Sequence, residues 1–551
     1  MSEIKTPFQE NFETSYTYIE GFMRNVRRRG DSPALTVPAT GEQMTYKELN
    51  REVNLFANAL QSSGVHKGDV IMYMLRNSIE FVLCYLAPQK LGAINCPINY
   101  HQSAGEIALN IEDSKPKVFI YDIIYKQTVQ EALALNAYQP DDVLFVCNCD
   151  EEELVEGHIS LREFIKRGSI EEPVVTERIS IYDECTRLYT SGTTSRPKGV
   201  PVYVINEVLS AHDVIMHFPL SARDKTLNMT PWFHRGGLHS GGPCPTLYVG
   251  GEMIIMSEFN AHNVLSYVEK YGISFLIGVP ATLNMLYMSQ LRRHADLSGL
   301  KGIVTMGSPL DRESCIRFQE TLTPNIYNGY GTTETFWNTF LSPSDLPEHA
   351  GSCGRACTDD DVRIVKIGGE NHISNPDDLV AMDGKEVGEI ILGTSAKSGM
   401  GYYDNEFLTN AKFHDGFFYT GDLGVWDEDG YVTVVSRKDD MIVCAGENIY
   451  PSQIESVLDS HPAVAESCVI GVHDTLREQV PAAYVVFKPG YTTTIRDLSK
   501  YVNSHPMLAT YKRPKFYRIC ESLPRTATGK LQRFEVKKMV EDDYSNGLFK
   551  R

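Results

Sequence analysis

Apolar and β-branched runs alternate with helical patterns over much of the chain. In order, the predicted strands and helices cover residues 70–75, 79–91, 118–121, 253–256, 263–271 and 275–279. Strands that alternate with helices are typical of parallel α/β sheet layers. The first part of the chain is therefore expected to form such layers.

The pattern changes near residue 389, where short strands separated by glycine turns predict a small β-barrel-like module. Beyond it, a helical stretch at 451–460 precedes strands at 465–472 and 482–488. We expect an α/β fold with a large N-terminal domain, residues 1–438, and a small α+β C-terminal domain, residues 439–551.

Composition narrows the class of protein. The 551 residues are 42 % apolar and 22 % charged, enough for more than one core. A net charge of -19 argues against a nucleic-acid binder, which needs a basic face. The start lacks a secretory signal, and no run approaches the roughly 18 apolar residues that cross a bilayer. We expect a cytoplasmic enzyme without a membrane segment, whose twelve cysteines are reduced.

One stretch, residues 189–200, is dense in hydroxyls and glycine and contains a lysine. Backbone amides, hydroxyls and an ammonium can together surround the β and γ phosphates of a nucleotide. The Walker spacing is absent, and from the residues alone a polar surface loop remains the alternative. The candidate phosphate ligands are Thr190, Ser191, Gly192, Thr193, Thr194 and Lys198.

This stretch resembles the phosphate loop of the adenylate-forming superfamily, which includes acyl-CoA synthetases, luciferases and peptide-synthetase adenylation domains. Ser195 departs from the family pattern, which has glycine there. Further matches follow in family order over most of the chain. The resemblance implies that ATP and Mg²⁺ activate a carboxylic acid as acyl-AMP, and that coenzyme A then accepts the acyl group as a thioester.

The segment 327–334 is similar to the family segment that binds adenine, the α-phosphate and Mg²⁺. These roles would fall to Tyr330, Thr333 and Glu334. An aromatic face suits the base, and a carboxylate suits a hard cation. Without the resemblance, helix capping would be the simpler role for Glu334. The other ATP-site positions that the resemblance implies are Ser308, Asn328, Gly329, Gly331, Asp422, which would bind the ribose, and Arg437, which would join it.

The C-terminal part carries three further family features. Asp439 corresponds to the hinge about which the small domain rotates between the two half-reactions. Lys530 lies within a match to the terminal motif and would be the catalytic lysine. Its ammonium would offset negative charge while the carboxylate attacks the α-phosphorus. The residues that would line the coenzyme A tunnel are Gly446, Glu447 and Asn448.

The segment 231–240 resembles the element where an aromatic–histidine pair opens the acyl pocket. His234 would gate access for the thiol. The implied pocket lining is Gly236, Ser240, Met306, Gly307, Phe336, Trp337 and Asn338. Room at Gly236 and a flat wall at Trp337 favour ring-shaped or medium-length acids over acetate.

Two cationic positions in that segment leave an alternative open. If Arg235 and His239 face inward, they could pair a second carboxylate, and the substrate would be a diacid. An Arg235 that points to solvent is the favoured alternative. An amino-acid substrate is disfavoured, because the aspartate that holds its ammonium in peptide-synthetase domains has no counterpart here.

Other functions make different demands on the sequence. An acyl-AMP ligase that loads a separate carrier protein is the main alternative, in place of transfer to free coenzyme A. A catalytically dead relative would be expected to lack Lys530, Glu334 or Asp422, and all three are present. Transfer through a lysyl-adenylate would need a Lys-x-Asp-Gly core, which neither Asp383-Gly384 nor Asp415-Gly416 provides. The enzyme is expected to be a monomer or a homodimer.

Overall fold

The computed structural model describes residues 5–135, 143–150, 153–190, 197–368, 373–393, 396–444, 447–474, 477–505, 508, 512–525 and 531–545. The helices are α1 Pro7–Ser15, α2 Tyr18–Arg29, α3 Tyr46–Ser62, α4 Ile79–Leu91, α5 Ala104–Ser114, α6 Lys126–Leu135, α7 Leu161–Ile165, α8 Val204–His217, α9 Arg235–His239, α10 Pro243–Val249, α11 Ala261–Tyr271, α12 Pro280–Arg293, α13 Arg312–Thr321, α14 Glu406–Lys412, α15 Pro451–Asp459, α16 Ile495–Ser504 and α17 Arg533–Ser545.

The strands are β1 Pro33–Val37, β2 Glu42–Thr45, β3 Val70–Met74, β4 Ile94–Pro97, β5 Val118–Asp122, β6 Leu144–Asn148, β7 Ile159–Ser160, β8 Glu184–Thr190, β9 Lys198–Tyr203, β10 Lys225–Asn228, β11 Glu252–Ile254, β12 Phe275–Gly278, β13 Gly302–Met306, β14 Ile326–Thr332, β15 Phe336–Leu341, β16 Arg355–Ala356, β17 Asp361–Val365, β18 Gly388–Gly393, β19 Phe413–His414, β20 Phe417–Trp426, β21 Val432–Arg437, β22 Ile442–Cys444, β23 Glu447–Ile449, β24 Val464–Asp474, β25 Glu478–Phe487 and β26 Phe516–Cys520. The predicted α/β fold is confirmed.

Contacts between residues divide the chain into two units. The first contains Met1–Val362 and Leu392–Phe418, and the second contains Arg363–Ile391 and Tyr419–Arg551. The chain passes from one unit to the other within β17, β18 and β20.

The first unit contains a nine-stranded sheet with the order β16-β15-β14-β13-β12-β10-β11-β1-β2. The strands from β14 to β1 pair in parallel, whereas β2, β15 and β16 are antiparallel to their neighbours. Parallel strands present their carboxyl ends at one edge, where ligands of open α/β sheets bind. The chain leaves β10, β12, β13 and β14 at this edge.

A seven-stranded sheet in the same unit has the order β7-β6-β5-β3-β4-β8-β9. Its pairings are parallel except for the last one, in which β9 runs antiparallel to β8. Because β8 and β9 are consecutive and antiparallel, they form a hairpin around the loop that the sequence assigned to phosphates.

Helix α4 shows why the strand and helix alternation was readable from the sequence. All of its residues except Glu80 are buried, as expected for a helix that is apolar all round. It begins where Ser78 Oγ accepts the Phe81 N–H at 3.2 Å. It ends at Gly92, whose φ of 71° is left-handed and suits glycine. The bounds agree with the predicted 79–91.

The β-rich segment forms a five-stranded sheet with the order β17-β18-β20-β19, to which β21 is added beside β20. It begins at Asp361, earlier than the predicted residue 389, because β17 pairs with a strand that lies further along the chain. The hairpin of β20 and β21 places Asp422 directly opposite Arg437.

The second unit also contains a five-stranded sheet with the order β23-β22-β25-β24, in which β26 pairs with β25. Its long antiparallel pair, β24 with β25, corresponds to the strands predicted at 465–472 and 482–488. Helices α15 and α16 supply Leu458 and Leu498 to the core. Across the described residues, no helix is both long and apolar enough to span a membrane.

Candidate active site

Predicted site residues follow three strands at the carboxyl edge of the nine-stranded sheet. The segment 234–240 comes after β10, Gly307 and Ser308 come after β13, and Thr333 and Glu334 come after β14. Strands β10, β12, β13 and β14 pair in parallel, each with the next. Residues from distant parts of the sequence therefore lie along one edge of the sheet.

The turn that joins β14 to β15 carries the predicted α-phosphate and magnesium ligands. Thr333, Glu334 and Thr335 form this turn. A Cβ on Gly331 would lie 1.5 Å from the backbone oxygen of Phe336, so any side chain there would disrupt the hairpin. Phe336 itself has a φ of 63°, a conformation that L-residues rarely adopt. The close backbone packing therefore fixes where Glu334 is presented.

A tyrosine that the sequence analysis did not identify holds the carboxylate of Glu334. Tyr402 Oη donates to Glu334 Oε1 at 2.6 Å. Burial, and then the negative charge of Glu334, raise the pKa of Tyr402 far above its ordinary value, so the phenol remains a donor. Glu334 is only partly buried, and its carboxylate oxygens are the ligand type that Mg²⁺ prefers. The residues present thus fit a magnesium ion.

Arg235 connects the β14–β15 turn to the segment that contains Lys397. Its Nη1 donates to the backbone oxygen of Thr333 at 2.6 Å, and its Nη2 donates to the backbone oxygen of Lys397. Its guanidinium lies 5.7 Å from the ring centre of Phe336. Arg235 is 3 % exposed, so the expectation that it points to solvent is wrong, since three elements close over it.

The same contacts limit what Arg235 can bind. Burial lowers its pKa to about 10, which still leaves the guanidinium charged at neutral pH. Each Nη donates one N–H to a backbone oxygen, and Arg235 is buried, so little of the guanidinium is accessible to a second carboxylate.

His239 has an internal partner as well. Its Nε2 lies 2.9 Å from Glu207 Oε2, and both side chains are fully buried. Glu207 also accepts hydrogen bonds from Thr186 Oγ1 at 2.5 Å and Tyr85 Oη at 2.8 Å. Burial alone would raise the pKa of Glu207, but His239 and the two hydroxyls outweigh it and lower the pKa to about 2. His239 is therefore committed to a buried carboxylate.

Glu207 could have been found from the sequence. It lies on the face of α8 that also carries Val204, Val208 and Ala211, all of them buried. A carboxylate on an apolar helix face needs a partner, because an unpaired buried charge is strongly destabilising. The signal was therefore present, although it does not identify the partner.

A buried lysine, Lys397, donates a hydrogen bond to the backbone of β15. Lys397 Nζ donates to Trp337 O at 2.5 Å and pairs with Asp213 Oδ2 at 3.0 Å and Asp360 Oδ2 at 2.6 Å. Burial alone would lower the pKa of Lys397, but the two aspartates raise it above its ordinary value. The strand that carries Phe336 and Trp337 is thus held by a charged network.

The predicted acyl-pocket residues contact one another. A Cβ on Gly236 would lie 3.0 Å from Met306 Sδ, and one on Gly329 would lie 2.9 Å from Trp337 Nε1. Phe336 and Trp337 stack with their ring centres 5.0 Å apart. The glycines therefore leave room for large side chains, which form one apolar cluster with Met306.

His234 and Gly307 are more exposed to solvent than the other residues predicted to line the acyl pocket. His234 is exposed at the N-cap of α9, and its ring centre lies 4.3 Å from that of Phe233. Gly307 is exposed and has a φ of 77°.

The segment predicted to bind phosphates falls between β8 and β9. Thr190 and Lys198 are directly opposite each other at the end of this hairpin. Ser191, Gly192, Thr193 and Thr194 lie outside the described residues.

In the second unit, Asp422 and Arg437 form an ion pair, with Asp422 Oδ1 2.6 Å from Arg437 Nε. The carboxylate is nearly buried, whereas half of the Arg437 side chain is exposed. Asp439 is exposed, and its backbone oxygen accepts a hydrogen bond from Lys537 Nζ at 2.7 Å. The predicted ribose ligand and its arginine are therefore adjacent.

Gly446 and Lys530 lie outside the described residues. Glu447 and Asn448 belong to β23, but their side chains are not among those described.

Comparison with known proteins covers nearly the whole chain. The sequence profile of the AMP-binding enzyme family matches residues 22–403, and that of the AMP-binding enzyme C-terminal domain matches residues 453–530. A feruloyl-CoA synthase of an Amycolatopsis species is 30 % identical over 93 % of this chain and 97 % of its own length. The long-chain-fatty-acid–CoA ligase FadD13 of Mycobacterium tuberculosis is 31 % identical over 93 % of this chain and 95 % of its own.

Solved structures agree with this relationship. The anthranilate CoA ligase AuaEII in complex with anthranoyl-AMP superposes with a TM-score of 0.84 at 26 % identity, covering 96 % of this chain and 98 % of that one. The O-succinylbenzoate coenzyme A synthetase MenE of Bacillus subtilis, in complex with ATP and magnesium ion, gives a TM-score of 0.80 at 27 % identity over 94 % and 99 % of the two chains.

Proposed function

The chain belongs to the AMP-binding enzyme family, in its acyl-CoA ligase branch, and on this premise we propose how its residues carry out the reaction. It is an AMP-forming carboxylic acid:CoA ligase. The acid is first activated by ATP as acyl-AMP with release of pyrophosphate. The thiol of coenzyme A then displaces AMP.

The ATP site is the carboxyl edge of the nine-stranded sheet together with the β8–β9 loop. Tyr330 lies against adenine, Thr333 contacts the α-phosphate, and Thr190 and Lys198 hold the ends of the loop that surrounds the β and γ phosphates. Asp422 accepts hydrogen bonds from the ribose hydroxyls, and its ion pair with Arg437 orients the carboxylate.

Glu334, which the hydrogen bond from Tyr402 orients, would hold Mg²⁺. The ion would neutralise phosphate charge. Arg235 keeps the turn in place through the backbone oxygen of Thr333. This one turn therefore presents both the α-phosphate ligand and the metal ligand, and it is the observation that supports the proposal most.

The two half-reactions divide between two domains, residues 1–438 and 439–551, with Asp439 as the hinge. Lys530 approaches the α-phosphate in the first half-reaction and offsets the charge that builds up there. In the second, Gly446, Glu447 and Asn448 line the path of the pantetheine arm, and His234 gates entry of the thiol. We place this enzyme in the cytoplasm, where ATP and coenzyme A are supplied.

Acid-dependent exchange of labelled pyrophosphate into ATP tests adenylation, and consumption of free coenzyme A tests the second step. Lys530→Ala should lower the exchange rate about 100- to 1000-fold, the usual effect of removing one preorganised charge-stabilising donor. Lys500→Ala is the matched control, because Lys500 is an exposed lysine of the same domain. Exchange that is equal in both variants would refute the role of Lys530.

The acceptor is tested separately. Formation of acyl-CoA with free coenzyme A supports the ligase reaction. Adenylation without consumption of coenzyme A, but with acyl transfer to a phosphopantetheinylated carrier protein, would support the alternative of an acyl-AMP ligase.

A further inference from the structure

The segment 396–403 contacts both of the elements proposed to bind the phosphates of ATP. Two consecutive residues make these contacts: Tyr402 Oη donates to Glu334 Oε1 at 2.6 Å, and the Tyr403 N–H donates to Gly199 O at 2.8 Å. Glu334 is the proposed metal ligand, and Gly199 is the second residue of β9, beside the loop of the β8–β9 hairpin. The 396–403 segment therefore connects the metal ligand to the strands that carry the phosphate loop.

A buried arginine of β8 strengthens the contact with the hairpin. The Arg187 guanidinium lies 3.3 Å from the ring centre of Tyr403. Arg187 is 2 % exposed, and its Nε and Nη2 donate to the two carboxylate oxygens of Glu184 at 2.8 and 2.7 Å. Because the guanidinium is held in place and desolvated, its attraction to the aromatic ring is at the strong end of the range for such pairs.

Two glycines allow the segment to approach the hairpin closely. A Cβ on Gly199 would lie 3.2 Å from Tyr403 Cβ, and a Cβ on Gly399 would lie 2.6 Å from Pro201 O. Pro201 of β9 is the residue directly opposite Arg187 of β8. The segment therefore packs on the backbone of β9, and a side chain at position 399 would push the two apart.

The start of the segment is attached to two helices. Asn206 Nδ2 of α8 donates to Ala396 O at 2.9 Å, and Arg235 Nη2 of α9 donates to Lys397 O. These hydrogen bonds hold the segment independently of Tyr402 and its acceptor.

The backbone on either side of the two tyrosines has an unusual conformation. Met400 has a φ of 54° and Asp404 has a φ of 46°, values that residues other than glycine rarely adopt. Such conformations persist only where the surrounding contacts enforce them, and they cluster at functional sites. The path of the chain through Tyr402 and Tyr403 is therefore specified by tertiary contacts.

The spacing between the two elements matters because one ligand must fit both of them. In MgATP the cation binds phosphate oxygens, so the carboxylate that holds the cation and the loop that surrounds the β and γ phosphates must lie at a matched distance. We propose that the 396–403 segment sets this distance, with Arg187 and Tyr403 as the positioning residues of the β8–β9 hairpin. The inference rests on the proposed function and adds residues that lie outside the motifs found in the sequence.

Isothermal titration calorimetry of the full-length protein with MgATP and with AMP tests the proposal. AMP lacks the β and γ phosphates, so a displaced loop should weaken the binding of MgATP and leave that of AMP unchanged. Tyr403→Ala removes the ring and should raise the Kd of MgATP about 3- to 30-fold, the range expected for losing a cation–π contact that is partly to fully desolvated. A purely structural role would reduce the fraction of folded protein without changing the ratio of the two Kd values.

Two further variants connect the effect to the contact itself. Tyr403→Phe keeps the ring and should retain the MgATP affinity of the unmodified protein. Arg187→Lys keeps a charge beside Glu184 but loses the planar stack, so it should weaken MgATP binding as Tyr403→Ala does. Because the two substitutions break the same contact, the double variant should bind MgATP no more weakly than the weaker single variant. Arg187→Lys decides the question if circular dichroism shows that Tyr403→Ala does not fold.

Tyr287→Ala is the matched control. The Tyr287 ring also lies beside an arginine, with its centre 5.7 Å from the Arg317 guanidinium, but it packs against Phe318 of α13. Its loss should leave both Kd values unchanged.

The outcomes separate the inference from the proposed function. If Tyr403→Ala and Arg187→Lys bind MgATP as the unmodified protein does, or lose AMP to the same extent, the inference is overturned. Acid-dependent pyrophosphate exchange by the unmodified enzyme would still support the ligase function in that case. If the unmodified protein binds neither nucleotide, both fail.

Discussion

Replacing Tyr402 by phenylalanine tests whether the phenol positions the magnesium ligand. The substitution removes only the hydroxyl that donates to Glu334 Oε1 at 2.6 Å. Other contacts should remain, including the backbone hydrogen bond to Thr409 Oγ1 at 2.9 Å and the edge contact with Phe413. The effect on activity can therefore be attributed to the loss of one hydrogen bond.

The magnitude follows from the charge of the acceptor. A hydrogen bond to an ionised group contributes about 1.5–3 kcal/mol, which corresponds to a factor of about 10 to 150. Partners that orient a metal ligand have a similar effect, about 10- to 100-fold on metal affinity or activity. We expect kcat/KM to fall about 10- to 100-fold in Tyr402→Phe, with a higher Mg²⁺ concentration needed for half-maximal rate.

The assay is the initial rate of pyrophosphate release, titrated with Mg²⁺ at saturating ATP and acid. Tyr403→Phe is the control, because the ring of Tyr403 stacks under the Arg187 guanidinium at 3.3 Å and that contact does not need the hydroxyl. If Tyr402→Phe and Tyr403→Phe have the same kcat/KM and the same Mg²⁺ dependence, Tyr402 has no positioning role and the reasoning fails.

Two further predictions concern the buried charges behind the site. In Glu207→Gln, the loss of a carboxylate whose pKa falls from 4.5 to about 2 on folding should reduce the free energy of unfolding by about 3 kcal/mol at neutral pH. Because folding lowers that pKa, the difference in free energy of unfolding between the variant and the unmodified protein should be constant above about pH 5.5 and shrink as the pH falls toward 2. Urea titrations at several pH values measure this difference. A difference below about 1 kcal/mol at neutral pH would contradict the prediction. Lys397→Met leaves Asp213 and Asp360 buried without their cation and should cost about 3–5 kcal/mol, so a urea midpoint equal to that of the unmodified protein would refute the role of this network.

Local sequence was sufficient where the deciding interactions are local. Helix α4 was predicted with its bounds, because its apolar run, its capping serine and its terminal glycine all lie within 15 residues. Four strands of the parallel sheets, β3, β5, β11 and β12, were predicted for the same reason, since strands buried on both faces have continuous apolar runs. The motif residues Thr333 and Glu334 were also identified, because they belong to one contiguous segment.

The partners of those residues could not be predicted, because they are distant along the chain. Tyr402 is 68 positions from Glu334, and Lys397 is 162 positions from Arg235. Arg235 is an example of the difficulty, because an arginine between histidine and glycine looks like a surface residue until the structure shows what covers it.

The sequence by itself determined the fold class, the alternation of strands and helices, and the family whose chemistry the motifs carry. Only the tertiary structure decided that Arg235 and His239 are engaged by backbone oxygens and by Glu207, and that Tyr402 holds Glu334. The physical reason is that helix and strand patterns depend on neighbours a few positions away, whereas a buried polar group is satisfied by whichever distant segment the packing of the sheets brings to it.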